Sequence, residues 1–533
     1  MFRILLTMAL IIIYITASAQ NQQPNNNKSD WEGGYPDGCT TVAVGKLASF
    51  DGSVMTSHTD DSHRTRSNLE IVPAITHESD AMVTLYVREN DDTQKMPAYK
   101  NVPIGKIPQI ENTFGYINTA YPCINDQQVA IGETTFGGRE ELKSEKGLID
   151  CQRLCMLMLE RGKTARDAIK IAGELLDVYG WNDYGEMLTI ADPNEVWVFE
   201  IVGSGKGKLG AVWAAQRVPD DHIFVGANGS RIRQIDTENP DYFMYSENVF
   251  TVAQENGWWK PEDGPFEFCY AYAERNSLAT RRREWRVFDL VAPSLKLDPW
   301  SENYPFSVKP EKPITLEKMV EIFSDYYEGT EFNFVKDLTV TDDSGKTIIS
   351  PLANPFMPYD MNKLFKINGG WGWRGERTIA RWYTMYATII QCRSWLPNEI
   401  GGVAWIAWDN VASSIYAPFY VGITRVHKTS STDGRVTGFS KNSAWWAFNH
   451  LGTLAAQRWG DMRHDVRAVW DPWQAELFAD QKEIEAEALK LWKSDRTASK
   501  EYLTKYSYDL QEAIVERAWE LAAELWNKYD ELF

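Results

Sequence analysis

The chain has 533 residues, of which 44% are hydrophobic, and a formal charge of −19 at pH 7. The hydrophobic content is ordinary for a globular protein, and the length permits roughly two to four domains. The acidic balance argues against nucleic acid or an anionic membrane surface as a partner, because both repel a chain of this sign.

Residues 1–19 read as a signal peptide. Arg3 is a short basic start, Ile4 to Ile15 form an apolar core interrupted by Thr7, and Ala17-Ser18-Ala19 is a small-residue cleavage pattern. The core is too short to span a bilayer, and no later stretch holds ~18 consecutive apolar residues. A secreted or periplasmic location is therefore expected, with no membrane contact after cleavage. Residues 20–38 are polar and rich in Asn, Gln and Gly, a composition that cannot bury enough surface to order itself. They read as a leader.

The character changes at Cys39. Thr41–Val44 and Val54–Thr56 are strand-like runs joined by a loop with Asp51-Gly52 as its turn signal, so a hairpin is expected there. Helices are expected near 147–160 and 164–178, the second opening on Thr164-Ala165-Arg166-Asp167, a capping pattern, and ending before Gly180. Strands follow at 187–190, 196–202 and 223–225, a helix at 315–327, another at 377–391, and strands around 402–408 and 417–423. The tail, 476–533, is dominated by Glu, Ala, Lys, Leu and Trp at helical spacing. It reads as a helical extension packed on a main domain spanning 39–475.

Six cysteines stand at 39, 123, 151, 155, 269 and 392. An even count suits disulfides in an exported protein, but Cys151 and Cys155 lie i,i+4 on one expected helix, a poor geometry for a mutual bridge. Without a C-x-x-C motif or a histidine cluster, no metal and no cofactor is expected. Three other signals are set aside. Gly203–Lys208 lacks the ending of a phosphate loop and reads as a hairpin turn. Arg281-Arg282-Arg283 reads as a solvated charge run, and Asp60-Asp61 lacks further ligands for a metal. Composition alone would make Cys39 a buried structural thiol.

The motif that changes this reading is Cys39-Thr40-Thr41-Val42-Ala43-Val44-Gly45-Lys46, continuing through Ala48-Ser49-Phe50-Asp51-Gly52-Ser53 to Thr59-Asp60-Asp61. It resembles the mature start of the dipeptidase A and secernin family of N-terminal-nucleophile cysteine hydrolases. Later blocks resemble that family in the same order: Asn125–Ile131, Val218–Asp221, Ala227–Ile232, Tyr327–Thr330, Trp395-Leu396-Pro397 and Tyr416–Tyr420. The resemblance implies an α+β protein with a four-layer αββα fold. It also implies that Cys39 becomes the N-terminal residue when the chain is cut after Gly38. Asp61 matches an acidic residue that orients the nucleophile and its amine. Asn125 and Asn228 match oxyanion-hole positions, and Arg283 matches an arginine near the nucleophile. Many relatives carry Arg-Asn where this chain has His58-Thr59, and a histidine is charged only at lower pH.

The implied chemistry is coherent. A free α-amine titrates near ~8 and a thiol near ~8.5, so the amine of an N-terminal cysteine suits the role of base for its own sulfur. While Cys39 remains peptide-bonded to Gly38, its nitrogen is an amide and cannot serve. The expectation is a secreted cysteine dipeptidase acting on small peptides, its oligomeric state left open. Its rivals are an acylase of non-peptide amides, like the choloylglycine hydrolases, and a non-catalytic, tryptophan-rich glycan-binding protein.

Overall fold

The computed structural model describes residues 37–355 and 377–532. The expected signal peptide and residues 20–36 of the expected leader lie outside them. Mixed α and β structure surrounds a single apolar core.

Among the described residues, two large antiparallel sheets dominate. The seven-stranded sheet is centred on β1 (Gly38–Val44) and β2 (Val54–Asp61), whose side chains are buried throughout. The expected hairpin is present, and β1 begins at Gly38, so the last residue of the expected leader is already inside the sheet. The eight-stranded sheet contains β5 (Ala130–Gly137), β6 (Gly185–Ala191), β7 (Val196–Gly203) and β8 (Ala211–Arg217) as consecutive neighbours. β7 and β8 are joined by the turn expected at 203–208. Between β2 and β5 a long two-stranded ribbon, β3 (Met82–Asp91) paired with β4 (Ala98–Pro108), pairs with neither sheet.

The two sheets lie face to face. Thr189 Oγ1 of β6 hydrogen-bonds Thr41 Oγ1 of β1 at 2.8 Å and Thr56 Oγ1 of β2 at 2.6 Å. Gly132 on β5 allows the approach: a Cβ there would lie 2.1 Å from Ser57 O and 2.7 Å from Thr41 Oγ1. On β1, odd-numbered side chains therefore face the second sheet, because successive side chains of a strand alternate.

Helices cover the sheets. α1 (Cys151–Arg161) is capped by Asp150, and α2 (Ala165–Tyr179) by Thr164, which accepts from Asp167 N at 3.1 Å. Gly180 ends α2 at φ +70, a conformation glycine adopts without strain. α2 packs on β8, its Gly173 set against the ring of Trp213. α3 (Leu278–Val291) lies beside β9 (Ile223–Gly226), which pairs with β1, and α4 (Leu316–Phe323) falls within the helix expected over 315–327.

The segment expected as a helix over 377–391 is instead β10 (Thr384–Cys392), paired with β2. Every residue of β10 is buried, so it shows no alternation, and its β-branched Thr384, Thr388, Ile389 and Ile390 favour a strand. β11 (Val403–Trp408) and β12 (Ala417–Tyr420) complete that edge. α5 (Ala444–Gln457), α6 (Trp459–Ser494) and α7 (Arg496–Tyr529) pack over it, with Phe478 of α6 against Trp405 and Ser507 of α7 donating to Pro418 O. The expected boundary at 475/476 falls inside α6. That helix runs through 475/476 without a break.

Candidate active site

Strand pairing builds the site. Gly38, Cys39 and Thr40 of β1 stand opposite Asp61, Asp60 and Thr59 of β2, while Thr41 on the other side pairs with Gly226 of β9. Cys39 therefore sits at the head of a strand flanked on both sides, and its side chain points towards the second sheet. There the thiol donates to Glu133 Oε2 of β5 at 3.3 Å. His58 Nε2 lies 3.1 Å from the same oxygen. The His58 ring is wedged edge-on between Tyr121 and Tyr386.

The main chain of Cys39 is held as firmly as its side chain. Its N–H donates to Asn228 Oδ1 at 3.0 Å, and its carbonyl oxygen accepts from Arg283 Nη1 at 2.7 Å. Arg283 also donates to Thr40 Oγ1, Ala227 O and Asn228 Oδ1, each at 2.9 Å, so one buried guanidinium ties α3 to both β1 and the loop after β9. Asn228 adopts φ +60, a left-handed conformation that asparagine tolerates better than most residues. Asp61 accepts from Thr384 Oγ1 at 2.7 Å and pairs with Arg377. Gly38 is enclosed: a Cβ would lie 2.2 Å from Arg377 Nη1 and 2.6 Å from Asn228 Oδ1.

Burial governs the electrostatics. It pushes the Cys39 thiol well above its ordinary value, and Glu133, Asp60, Asp61 and Glu186 push in the same direction. Burial also raises Asp60 to about 7, against the opposing pull of His58. Burial would raise Glu133 too, but the contact with His58 prevails and holds it below the usual carboxylate range. Its neighbour Glu186 is raised by burial and by the charge of Glu133, and Thr135 Oγ1 contacts both carboxyls. The shifts run in opposite directions within the pair, favouring the ionised form at Glu133 and the protonated form at Glu186, and the protonated form of the thiol beside them. Desolvation lowers Arg283 to about 9.

The thiol opens on a cavity of about 430 Å³ lined by Gly38, Cys39, Asp60, Arg88, Asp183 and Glu186, among others. Arg88 comes from the β3–β4 ribbon and contacts Asp183 and Asp150. Larger clefts of about 560 and 800 Å³ lie against the C-terminal helices, and neither is lined by a cysteine. All six cysteines are free and buried, so no disulfide occurs among the described residues.

Of the residues singled out from sequence, Gly38, Cys39, His58, Asp61, Asn228 and Arg283 come together. Asn125 does not join them. Its Nδ2 donates to Leu159 O and Gly162 O at the end of α1, and its Oδ1 accepts from Gln127 N and Val129 N. It is a turn residue, with no amide N–H left for an oxyanion. Asn228 reaches the Cys39 main chain: its Oδ1 accepts from the Cys39 N–H, and its Nδ2 donates to Thr135 O. His58 meets the Glu133 carboxylate. Arg283 is buried, unlike a solvated charge run. Glu133 and Arg377 were not legible. Each is a single residue far along the chain, 94 positions from Cys39 and 316 from Asp61 respectively, and only the packing of strands brings it in.

The protein is a member of a peptidase family. The profile of Peptidase family C69 matches residues 38–471, beginning one residue before the thiol, and the chain belongs to that family. It is similar to a probable dipeptidase of Latilactobacillus sakei, 24% identical over 476 residues that cover 84% of this chain and 88% of the relative. It is also similar to a probable dipeptidase B of Lactococcus lactis subsp. lactis, at 23% identity over 91% of this chain and 94% of that one. Dipeptidase A of Lactobacillus helveticus is 23% identical over 80% of this chain and 83% of its own length.

Proposed function

We propose that the protein is an exported cysteine dipeptidase of the N-terminal-nucleophile type, with a four-layer αββα catalytic body, activated by cleavage between Gly38 and Cys39. The observation that carries this reading is the double restraint on Cys39. Both the sulfur and the nitrogen that would become its base are held by named side chains. A structural thiol has no need of the second restraint.

Before cleavage, Glu133 supplies the base that the amide nitrogen cannot. The thiol proton passes to Glu133 Oε2, the sulfur bonds to the Gly38 carbonyl carbon, and the C–N bond to Cys39 breaks as that nitrogen takes up a proton. Water then hydrolyses the thioester. The freed amine stays against Asn228 and takes over as base. In turnover the thiolate attacks the substrate carbonyl, the departing amine leaves protonated, and a second thioester is hydrolysed. Carboxylates of the cavity favour the substrate's ammonium end, and Arg88 is the cation available to its carboxylate. The pattern at residues 1–19 supports export to the exterior or periplasm, which fractionation of the native host would test.

Free dipeptides should be hydrolysed, N-acetylation should slow them by at least about tenfold, the effect of losing one charge-assisted contact, and Cys39→Ala should abolish turnover. Faster turnover of a bile-salt or penicillin-type amide than of any dipeptide would favour the acylase instead. Saccharide binding without amide hydrolysis would favour the glycan-binding rival.

A further inference from the structure

The group around the thiol has a property that peptide hydrolysis does not require. Cys39 Sγ, His58 Nε2 and Glu133 Oε2 lie mutually within 4.8 Å, all on buried residues. Two of the separations are 3.3 Å, sulfur to carboxylate, and 3.1 Å, imidazole to carboxylate. A tetrahedral Zn²⁺ with bonds of about 2.0–2.3 Å has ligand–ligand edges of about 3.3–3.7 Å, so these donors are already spaced close to such edges. His58 Nε2 is buried, and although near the carboxylate it lacks the alignment of a hydrogen bond. The buried nitrogen thus faces Glu133 as an ion-pair partner without an aligned hydrogen bond, an arrangement that a cation shared by imidazole, carboxylate and thiolate would complete.

The surroundings fit a cation. Thr135 Oγ1 holds the other oxygen of Glu133 at 3.2 Å, and two tyrosine rings fix the imidazole plane, which are supports of the kind that orient metal ligands. Asp60 and Glu186 add acidic groups nearby, and both line the same cavity as Cys39. We propose that Cys39, His58 and Glu133 form a three-donor site for a thiophilic divalent cation of the Zn²⁺ class, which silences the nucleophile while bound. Binding converts the thiol to a metal thiolate with release of its proton to solvent, and the electron density given to the cation lowers the sulfur's nucleophilicity while the ion blocks its approach to a substrate carbonyl. The silencing rests on the reading of Cys39 as nucleophile. The binding does not.

The test is titration of the reduced, purified protein with Co²⁺, followed by Zn²⁺ competition. One equivalent should give a thiolate-to-cobalt charge-transfer band together with the intense d–d absorption of four-coordinate cobalt. His58→Gln should weaken Zn²⁺ binding by at least about tenfold, and Cys151→Ala, which alters the neighbouring Glu133–Cys151–Glu186 group, should leave the spectrum unchanged. Should His58→Gln fail to fold, Glu133→Gln provides the same comparison. Absence of the thiolate band, or a band and affinity indifferent to both His58 and Glu133, would overturn the site. A protein that shows the band yet hydrolyses no dipeptide would contradict the proposed function and leave the metal site standing.

Discussion

In the proposed cleavage, Glu133 is the residue on which the chemistry of the unprocessed chain turns. It is the nearest proton acceptor to the Cys39 thiol at 3.3 Å, and its contact with His58 keeps it ionised despite burial. Replacing it with glutamine keeps the volume and removes the base. Cleavage after Gly38 should then slow by about 10²–10⁴-fold, the usual range for loss of a general base, measured as precursor disappearance by intact mass. Processing of Glu133→Gln at the parent rate would show that the carboxylate accepts no proton. Asn125 and Asn228 illustrate how far a single residue can be read from sequence. Both match the same kind of position in a family pattern, yet one closes a turn beside α1 and the other holds the Cys39 nitrogen. Side-chain amides are equally at home in turns and in active sites, and only the partners distinguish the two.

Among the elements, the strands around Cys39 were legible because turn residues and β-branched runs mark them locally. β10 was not, since a strand buried on both faces loses the alternation that separates it from a buried helix. Face-to-face packing of the two sheets depends on small contact residues, which is where an element-scale prediction falls. In Gly132→Ala the new methyl would meet Ser57 O at 2.1 Å and Thr189 Oγ1 at 2.6 Å. Both are held by the sheets, so the strands must part. The cost should be about 1–3 kcal/mol, as for other overpacked cores, read as a lower midpoint in urea. Because Glu133 is the next residue on β5, thiol alkylation at Cys39 should also change in this variant. An unchanged midpoint would mean that the sheets are not in the close contact described.

For the molecule as a whole, the C-terminal helices α5 to α7 pack on the strand body, and the contact between α5 and that body carries a titratable group. Asp409, just after β11, accepts from Asn449 Nδ2 of α5 at 2.8 Å, and burial raises its carboxyl to about 7. Below about pH 4 the carboxyl is protonated whether folded or unfolded, so it costs nothing. As the pH rises from there to about 7, the unfolded chain releases the proton and the folded chain retains it, so stability falls across that window and then levels off. Asp409→Asn keeps the acceptor and tolerates the φ of +58 at this position. It should raise stability by about 1 kcal/mol or more at pH 8, with the gain vanishing near pH 4, measured by thermal unfolding across pH. An equal gain at both pH values would trace the effect to something other than the buried charge. The central claim, that Cys39 works as an N-terminal residue, is tested most directly by the intact mass of the catalytically active fraction purified from the native host. The account predicts a mass that begins at Cys39, with no activity in any fraction that retains Gly38. Full dipeptidase activity in protein still carrying residues ahead of Cys39 would contradict it.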